Sequence, residues 1–186
     1  MPRLFIGIPL PESYQEKLKP FTGRLNSCLE SKIRWISPGN WHLTLKFLGD
    51  VEESRMGVIK DALSAIEYSA FEMRTGDCGC FPNMRKPRVI WKSVSKGGGR
   101  CEALAGAVEN ALEPLGFERE NRPFKSHLTI GRVKKLKLDD WEACLQTAGQ
   151  EAWPGFTVDR FFLWQSELNP DGAVHTVLSE FPLNDG

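Results

Sequence analysis

The sequence predicts an α+β fold with largely antiparallel sheet, and three observations carry that reading. Apolar runs of period two are interspersed with segments of helical period, so strands and helices share the chain. Its end has the pattern of a hairpin, residues 156–168 and 173–183 around Asn169-Pro170-Asp171-Gly172, and Pro-Asp-Gly between apolar runs is turn chemistry with a mechanism. One short pattern also occurs twice. His42-Leu43-Thr44-Leu45 returns as His127-Leu128-Thr129-Ile130, 85 positions later in a chain of 186 residues. Each copy follows a strand and a helix. The chain therefore reads as two half-repeats, whose physical meaning is two similar lobes related by an approximate two-fold, each giving one His and one Thr to a shared cleft.

The elements follow in order. Residues 3–10 form a first strand, fully apolar in its middle. Pro11 suits a helix first turn, and Tyr14, Leu18, Phe21, Leu25 and Cys28/Leu29 fall at helical spacing, with Pro20 placed to kink that helix. Ile33-Arg34-Trp35-Ile36 is a short strand, and Ser37-Pro38-Gly39-Asn40 turns the chain into the His42 strand. A second helix starts near residues 52–54, with Met56, Ile59, Leu63 and Ile66 on its buried stripe. Residues 71–81 and 89–94 are strands joined by a loop. Gly97-Gly98-Gly99 introduces a third helix with Cys101, Leu104, Val108, Leu112 and Leu115 on one face and Gly116 at its end. The triplet lacks the Gly-Lys-Ser/Thr ending of a P-loop and reads as a flexible turn. After the His127 strand, a fourth helix has Asp139 or Asp140 at its N-cap, buries Trp141 and Leu145, and stops near Gly149.

Composition narrows the function. Lys and Arg number 24 and Asp and Glu 24, so no global charge draws the protein to a polyanion, and contact with nucleic acid must rest on a local patch. Lys134, Lys135 and Lys137 are one such patch, equally readable as a solvated loop. Five cysteines without a regular framework favour a reducing, cytoplasmic setting. The run from Leu4 to Ile8 is cut short by Pro9 and Pro11, so it does not read as a signal peptide, and no stretch is long and apolar enough to span a membrane. Cys78-x-Cys80 has no second pair at zinc spacing and reads as packing.

The chemistry lies in the repeated pattern. Side chains two apart in a strand share a face, so His42 with Thr44, and His127 with Thr129, point away from their leucine and isoleucine neighbours. In-line hydrolysis of a phosphodiester needs one group to accept a proton on one side of phosphorus and another to donate on the other. Two imidazoles facing each other across a cleft meet that need near neutral pH, without metal or other cofactor. The threonine hydroxyls suit the non-bridging oxygens. Arg132 suits the same charge, although strand alternation turns it to the other face from His127 unless a bulge or turn at Gly131 brings it back. Phe47, Trp35 and Trp41 flank the first motif, and one of them, with Phe47 the candidate, could stack on a base, against the ordinary reading of strand aromatics as core. His175, the third histidine, stands outside the pattern and reads as structural or surface.

His-Leu-Thr-Leu-Lys-Phe-Leu-Gly with His-Leu-Thr-Ile-Gly-Arg resembles the paired motif of the 2H phosphoesterase superfamily, and within it the LigT-like RNA 2′,3′-cyclic phosphodiesterases once described as 2′–5′ RNA ligases. The likeness extends to Arg3-Leu4-Phe5-Ile6-Gly7-Ile8, Arg122-Pro123-Phe124 and Phe181-Pro182-Leu183, and departs at Ser126, usually Pro, and at Gly131, more commonly Ala. The resemblance implies a bilobal fold with two antiparallel sheets flanking a central cleft and helices outside. It implies opening of an RNA 2′,3′-cyclic phosphate to a 2′-phosphomonoester by a monomeric enzyme, with His42 as proton donor and His127 as proton acceptor. Residue types alone leave those two roles interchangeable. They also leave open ligation in the reverse direction, a sister substrate such as a 2′–5′ linked oligonucleotide, and a module that binds RNA without turnover.

Overall fold

The computed structural model describes residues 1–151, 153–169 and 172–185. In chain order its elements are strand β1 (Arg3–Pro9), helix α1 (Glu12–Cys28), β2 (Lys32–Trp35), β3 (His42–Asp50), α2 (Met56–Ser64), β4 (Phe71–Phe81) and β5 (Val89–Lys96). Then follow α3 (Gly98–Leu112), β6 (His127–Lys135), α4 (Trp141–Gly149), β7 (Phe156–Val158), β8 (Arg160–Asn169) and β9 (Gly172–Pro182). The strands form two sheets, in the orders β3-β1-β8-β9 and β2-β6-β5-β4-β7, with neighbouring strands antiparallel. The expected α+β class is what the chain adopts, and each His-x-Thr strand falls in a different sheet.

The sheets are not built from the two halves of the chain. β2 leaves the first half to pair with β6, and the final hairpin β8–β9 returns to pair with β1. The helices are exchanged as well. α1 lies over the second sheet, where Phe21 sits against Lys92 of β5 and the Tyr14 hydroxyl donates to the Pro154 carbonyl at 2.6 Å. α3 lies over β3 of the first. Each half therefore covers the other's sheet, an interlock that repeat periodicity does not report because hydrogen-bond partners are chosen in space.

Local chemistry explains some element boundaries. α1 runs on through Pro20, whose exposed position leaves its ring and missing N–H on the solvent side. Asp140 caps α4 by accepting from the Ala143 N–H at 3.0 Å, as N-cap chemistry predicts. Gly97 sits at φ 86° just before α3, and a Cβ there would stand 2.4 Å from the Glu72 carbonyl oxygen, so backbone packing accounts for this glycine. Residues 156–168 depart from expectation. The predicted single strand breaks at Asp159, β7 pairing with β4 of the second sheet and β8 with β1 of the first. Alternation continues across the break because both pieces have one buried face, so the pattern could not show the change of sheet. Asn169 pairs with Gly172 as a hairpin requires, while Pro170 and Asp171 of the predicted turn lie outside the described residues.

The cysteines also depart from the sequence reading. Cys28 at the end of α1 and Cys144 in α4 are disulfide-bonded, with Cα atoms 6.2 Å apart across a sequence separation of 116. Only the packing of α1 on α4 brings them together. Cys80 is buried, and burial pushes the Cys78 thiol up to about 11, so it stays protonated.

Candidate active site

β3 and β6 meet at the junction of the two sheets, and their residues are buried in the same order. His42 and His127 are half-buried, Leu43 and Leu128 buried, Thr44 and Thr129 half-buried. Then come two consecutive buried positions, Leu45-Lys46 in one strand and Ile130-Gly131 in the other, followed by exposed Phe47 and Arg132. Two buried neighbours cannot occur in a regular half-buried strand, and the pairing shows why. Opposite Ile6-Gly7 of β1, the register skips Leu45; opposite Ile90-Trp91 of β5, it skips Ile130. Each strand carries a β-bulge at the same repeat position. The extra residue inverts the alternation, so Phe47 returns to the side of His42 and Thr44, and Arg132 to the side of His127 and Thr129. The bulge needed to bring Arg132 back thus exists, and Phe47 is its counterpart in the other half. Phe47 is 57% exposed whereas Trp41 is 2% exposed, which separates the available aromatic from the one used in packing. Gly131 has a local cause too: a Cβ there would lie 2.8 Å from the Trp35 ring, which rests on it.

His42 is fixed at both ring nitrogens. Nδ1 lies 2.7 Å from the Asn40 carbonyl oxygen and Nε2 lies 3.1 Å from Thr44 Oγ1. A carbonyl only accepts, so Nδ1 carries the proton and neutral Nε2 accepts from the threonine hydroxyl. Phe5 stacks on the ring at 4.6 Å, and Trp164 lies tilted at 5.3 Å. Burial among these rings lowers the imidazole from 6.5 to about 4, opposed by the Asn40 hydrogen bond, which favours the cation, and assisted weakly by His175. His42 is therefore neutral at pH 7 in the unliganded protein.

The same burial ties stability to pH. Because the folded-state value lies below the unfolded one, the unfolded chain binds more protons between 6.5 and about 4, and stability falls as pH drops through that window. We expect wild type to lose about 2 kcal/mol more than His42→Phe across it, after discounting for the ring's partial exposure. Urea unfolding of both proteins as a function of pH measures the difference, and equal losses would refute it.

His127 repeats the arrangement in a more open setting. Its Nδ1 donates to the Lys125 carbonyl at 2.6 Å, again two residues back, so in the neutral ring Nε2 is the unprotonated nitrogen. The Phe81 ring stands edge-on at 5.2 Å. Ser126 fixes the entry to the strand, its hydroxyl donating to the Gly98 carbonyl at 2.9 Å. Both motif histidines thus have Nδ1 committed to a backbone carbonyl two residues back, a second partner that sets tautomer and ring direction.

Three features of the site were not legible in the sequence. Asn40 holds His42 and, by its side chain, donates to the Ala173 carbonyl of β9 at 2.6 Å. His175 stands 5.3 Å from His42, ring centre to ring centre, and not apart from the motifs. Lys46, the inward residue of the first bulge, is buried and pairs with Glu109 of α3 at 2.8 Å. Asn40 and Ala173 are 133 positions apart and Lys46 and Glu109 are 63 apart, beyond the reach of any local pattern.

The chain has known relatives. The pattern of the LigT-like phosphoesterase family matches residues 8–91 and 94–175. An RNA 2′,3′-cyclic phosphodiesterase of Archaeoglobus fulgidus is 36% identical over 179 residues, covering 96% of this chain and 99% of that protein. One of Thermotoga maritima is 34% identical over 188 residues, covering 99% and 97%. Among solved structures, TT0787 of Thermus thermophilus superposes with a TM-score of 0.81 at 27% identity, over 98% of each chain. Escherichia coli LigT in its apo form superposes at 0.77 with 22% identity over 99% and 98%, a likeness of fold. With its two bulged His-x-Thr strands inside the matched segments, the chain belongs to the LigT-like phosphoesterase family.

Proposed function

We propose that this protein hydrolyses the 2′,3′-cyclic phosphate at the end of an RNA to a 2′-phosphomonoester, by acid–base catalysis with His42 and His127. The observation that carries the reading is the matched pair of imidazoles on β3 and β6, each locked at Nδ1 by a carbonyl two residues back so that Nε2 serves the cleft. The names of the relatives from A. fulgidus and T. maritima support the substrate. Water attacks phosphorus while His127 Nε2 takes its proton. The bond from phosphorus to the 3′ oxygen breaks as that oxygen takes a proton from His42, leaving a free 3′ hydroxyl. Charge gathering on the non-bridging oxygens is met by Thr129, by Arg132 and by Thr44. Thr44 is coupled to its neighbour: once His42 is protonated, Nε2 no longer accepts from the threonine, and the hydroxyl proton is released toward phosphate. Phe47 supplies a face for the terminal base. An RNA-end substrate fits a cytoplasmic monomer.

The low pKa of His42 sets a condition on this assignment. The donor is charged only when the phosphodiester's own negative charge arrives beside it and raises its affinity for the proton. The same observation favours a second reading in which the roles are exchanged and neutral His42 is the base. An activated leaving group needs no proton, so the variant lacking the donor keeps activity on bis(p-nitrophenyl) phosphate and the variant lacking the acceptor does not. Comparing His42→Ala and His127→Ala on that substrate assigns the roles.

Since no step uses a metal, turnover of a 2′,3′-cyclic mononucleotide is expected to persist within about twofold in excess EDTA. Loss of activity on chelation, restored by a divalent cation, would refute the mechanism. Phosphorus NMR of the product reads the regiochemistry.

A further inference from the structure

Lys32 of β2 and Lys134 and Lys135 of β6 are exposed and take no part in the steps above. Strand register places them. Arg34 lies opposite Arg132 and Lys32 opposite Lys135, while the pairing skips Lys134, so a further β-bulge sets two lysines of β6 against one of β2. Residues directly opposed across strands share a face, as do residues two apart in one strand. The three lysines therefore continue the face that carries Arg132, Thr129 and His127. The other face of these strands is already covered, since Trp35 rests on Gly131 and donates from Nε1 to Asn26 Oδ1 of α1 at 3.2 Å. Of the lysines equally readable as a solvated loop, Lys134 and Lys135 are thus strand residues in line with the site.

Positive charge gathers on this edge of the sheet. The chain is neutral overall, yet residues 31–41, 79–101 and 121–138 contain no Asp or Glu, and these segments hold β2, β5 and β6, which are neighbours in one sheet. The loop before β5 adds Arg88, whose carbonyl accepts from the Val133 N–H of β6 at 2.9 Å. Among the described residues, Lys32, Arg132, Lys134 and Lys135 enter no ion pair. The next acid along the chain, Asp139, is turned to the Glu30 and Ser31 N–H groups at 2.7 and 3.0 Å. Like charges opposed across strands are destabilising, so a row kept clear of acids is matched to an anion that arrives from outside. Arg132 meets the reacting phosphate, and Lys135 stands about 10 Å further along the strand. That is where the phosphates next in line would lie. We infer that Lys32, Lys134 and Lys135 form a binding track for the RNA strand that leads into the site, holding the phosphodiesters on the 5′ side of the terminal nucleotide. The inference rests on the phosphodiesterase reading and adds to it the size of the substrate, an oligonucleotide end and not a free cyclic nucleotide.

The test compares a 2′,3′-cyclic mononucleotide with a trinucleotide ending in the same 2′,3′-cyclic phosphate, by steady-state kinetics between about 50 and 200 mM salt. Wild type is expected to show a KM for the trinucleotide about tenfold below that for the mononucleotide at the low-salt end. The plot of log KM against log salt is expected to be steeper for the trinucleotide by about 1.4, close to 0.7 for each of its two additional phosphates. The triple variant Lys32→Gln, Lys134→Gln, Lys135→Gln is expected to lose most of both differences while staying within about twofold of wild type on the mononucleotide. Arginine at the same three positions keeps the charge and is expected to keep the preference. Thermal melts accompany each protein, and should the triple variant melt early, the single Lys→Gln variants repeat the comparison, each expected to lower the difference in slope. Equal KM values and salt slopes for the two substrates in wild type would overturn the track. A glutamine variant that keeps the trinucleotide preference would send the strand out by another route and overturn it too, as would equal losses on both substrates. Wild-type protein inert toward the mononucleotide and the trinucleotide alike would instead overturn the phosphodiesterase reading, and this inference with it.

Discussion

Replacing either motif histidine by alanine is expected to lower kcat/KM for a 2′,3′-cyclic mononucleotide by about 10²–10⁴, the usual contribution of one positioned proton transfer. The fold should survive both changes. His42 and His127 are half-buried at a cleft, and the buried apolar face of each strand is made by its other residues. The double variant is expected to lose much less than the product of the two single losses. The two transfers serve one displacement, so once either imidazole is gone the other has little left to assist. Full multiplicative loss would mean that the histidines act in separate events, and retained activity in either single variant would refute the acid–base pair. Thermal melts recorded beside the kinetics separate lost chemistry from lost structure.

Glu109→Ala is expected to destabilise the protein by about 3–5 kcal/mol, a large share of the stability of an ordinary domain. The Lys46 side chain is 2% exposed and its Nζ donates to Glu109 Oε2 at 2.8 Å and to the Glu118 carbonyl at 2.7 Å. Removing the carboxylate leaves an ammonium buried with one neutral partner, and the uncompensated charge is the source of the cost. The double variant Lys46→Met, Glu109→Leu is expected to recover most of the loss, since replacing both charges removes the desolvation cost along with the attraction. Urea midpoints of the three proteins test this. A Glu109→Ala shift below about 1 kcal/mol would show that the ion pair behaves like an exposed one. The pair also has a place in function. Lys46 occupies the inward position of the first bulge, beside Phe47, so loosening it is expected to raise KM where a base is bound.

Much of this was readable from the chain because period-two alternation and its interruptions are local. His42, Thr44, His127 and Thr129 lie two apart in half-buried strands, and strand geometry alone gives each pair one face. The Asp140 cap depends only on residues of its own segment. Arg132 shows where such reasoning stops. Counting alternate residues turns it away from His127, and the bulge that turns it back appears only in the pairing of β6 with β5. Asp159 shows the same limit, since a chain can keep its alternation while moving from one sheet to another. Cys28 with Cys144 and His42 with His175 needed more still, being contacts made only after α1 has packed on α4 and the first sheet has curled.

By itself, then, the sequence determined the strands that carry chemistry, the side chains on their polar faces and the family to which the pattern belongs. Tertiary structure alone decided which strands pair, how the bulges turn Phe47 and Arg132, what lowers the His42 pKa, and that a third imidazole stands beside it. The physical reason is one of range. Alternation records which face of a segment is apolar, a property of neighbours in the chain. Burial, register and the meeting of distant side chains are properties of neighbours in space.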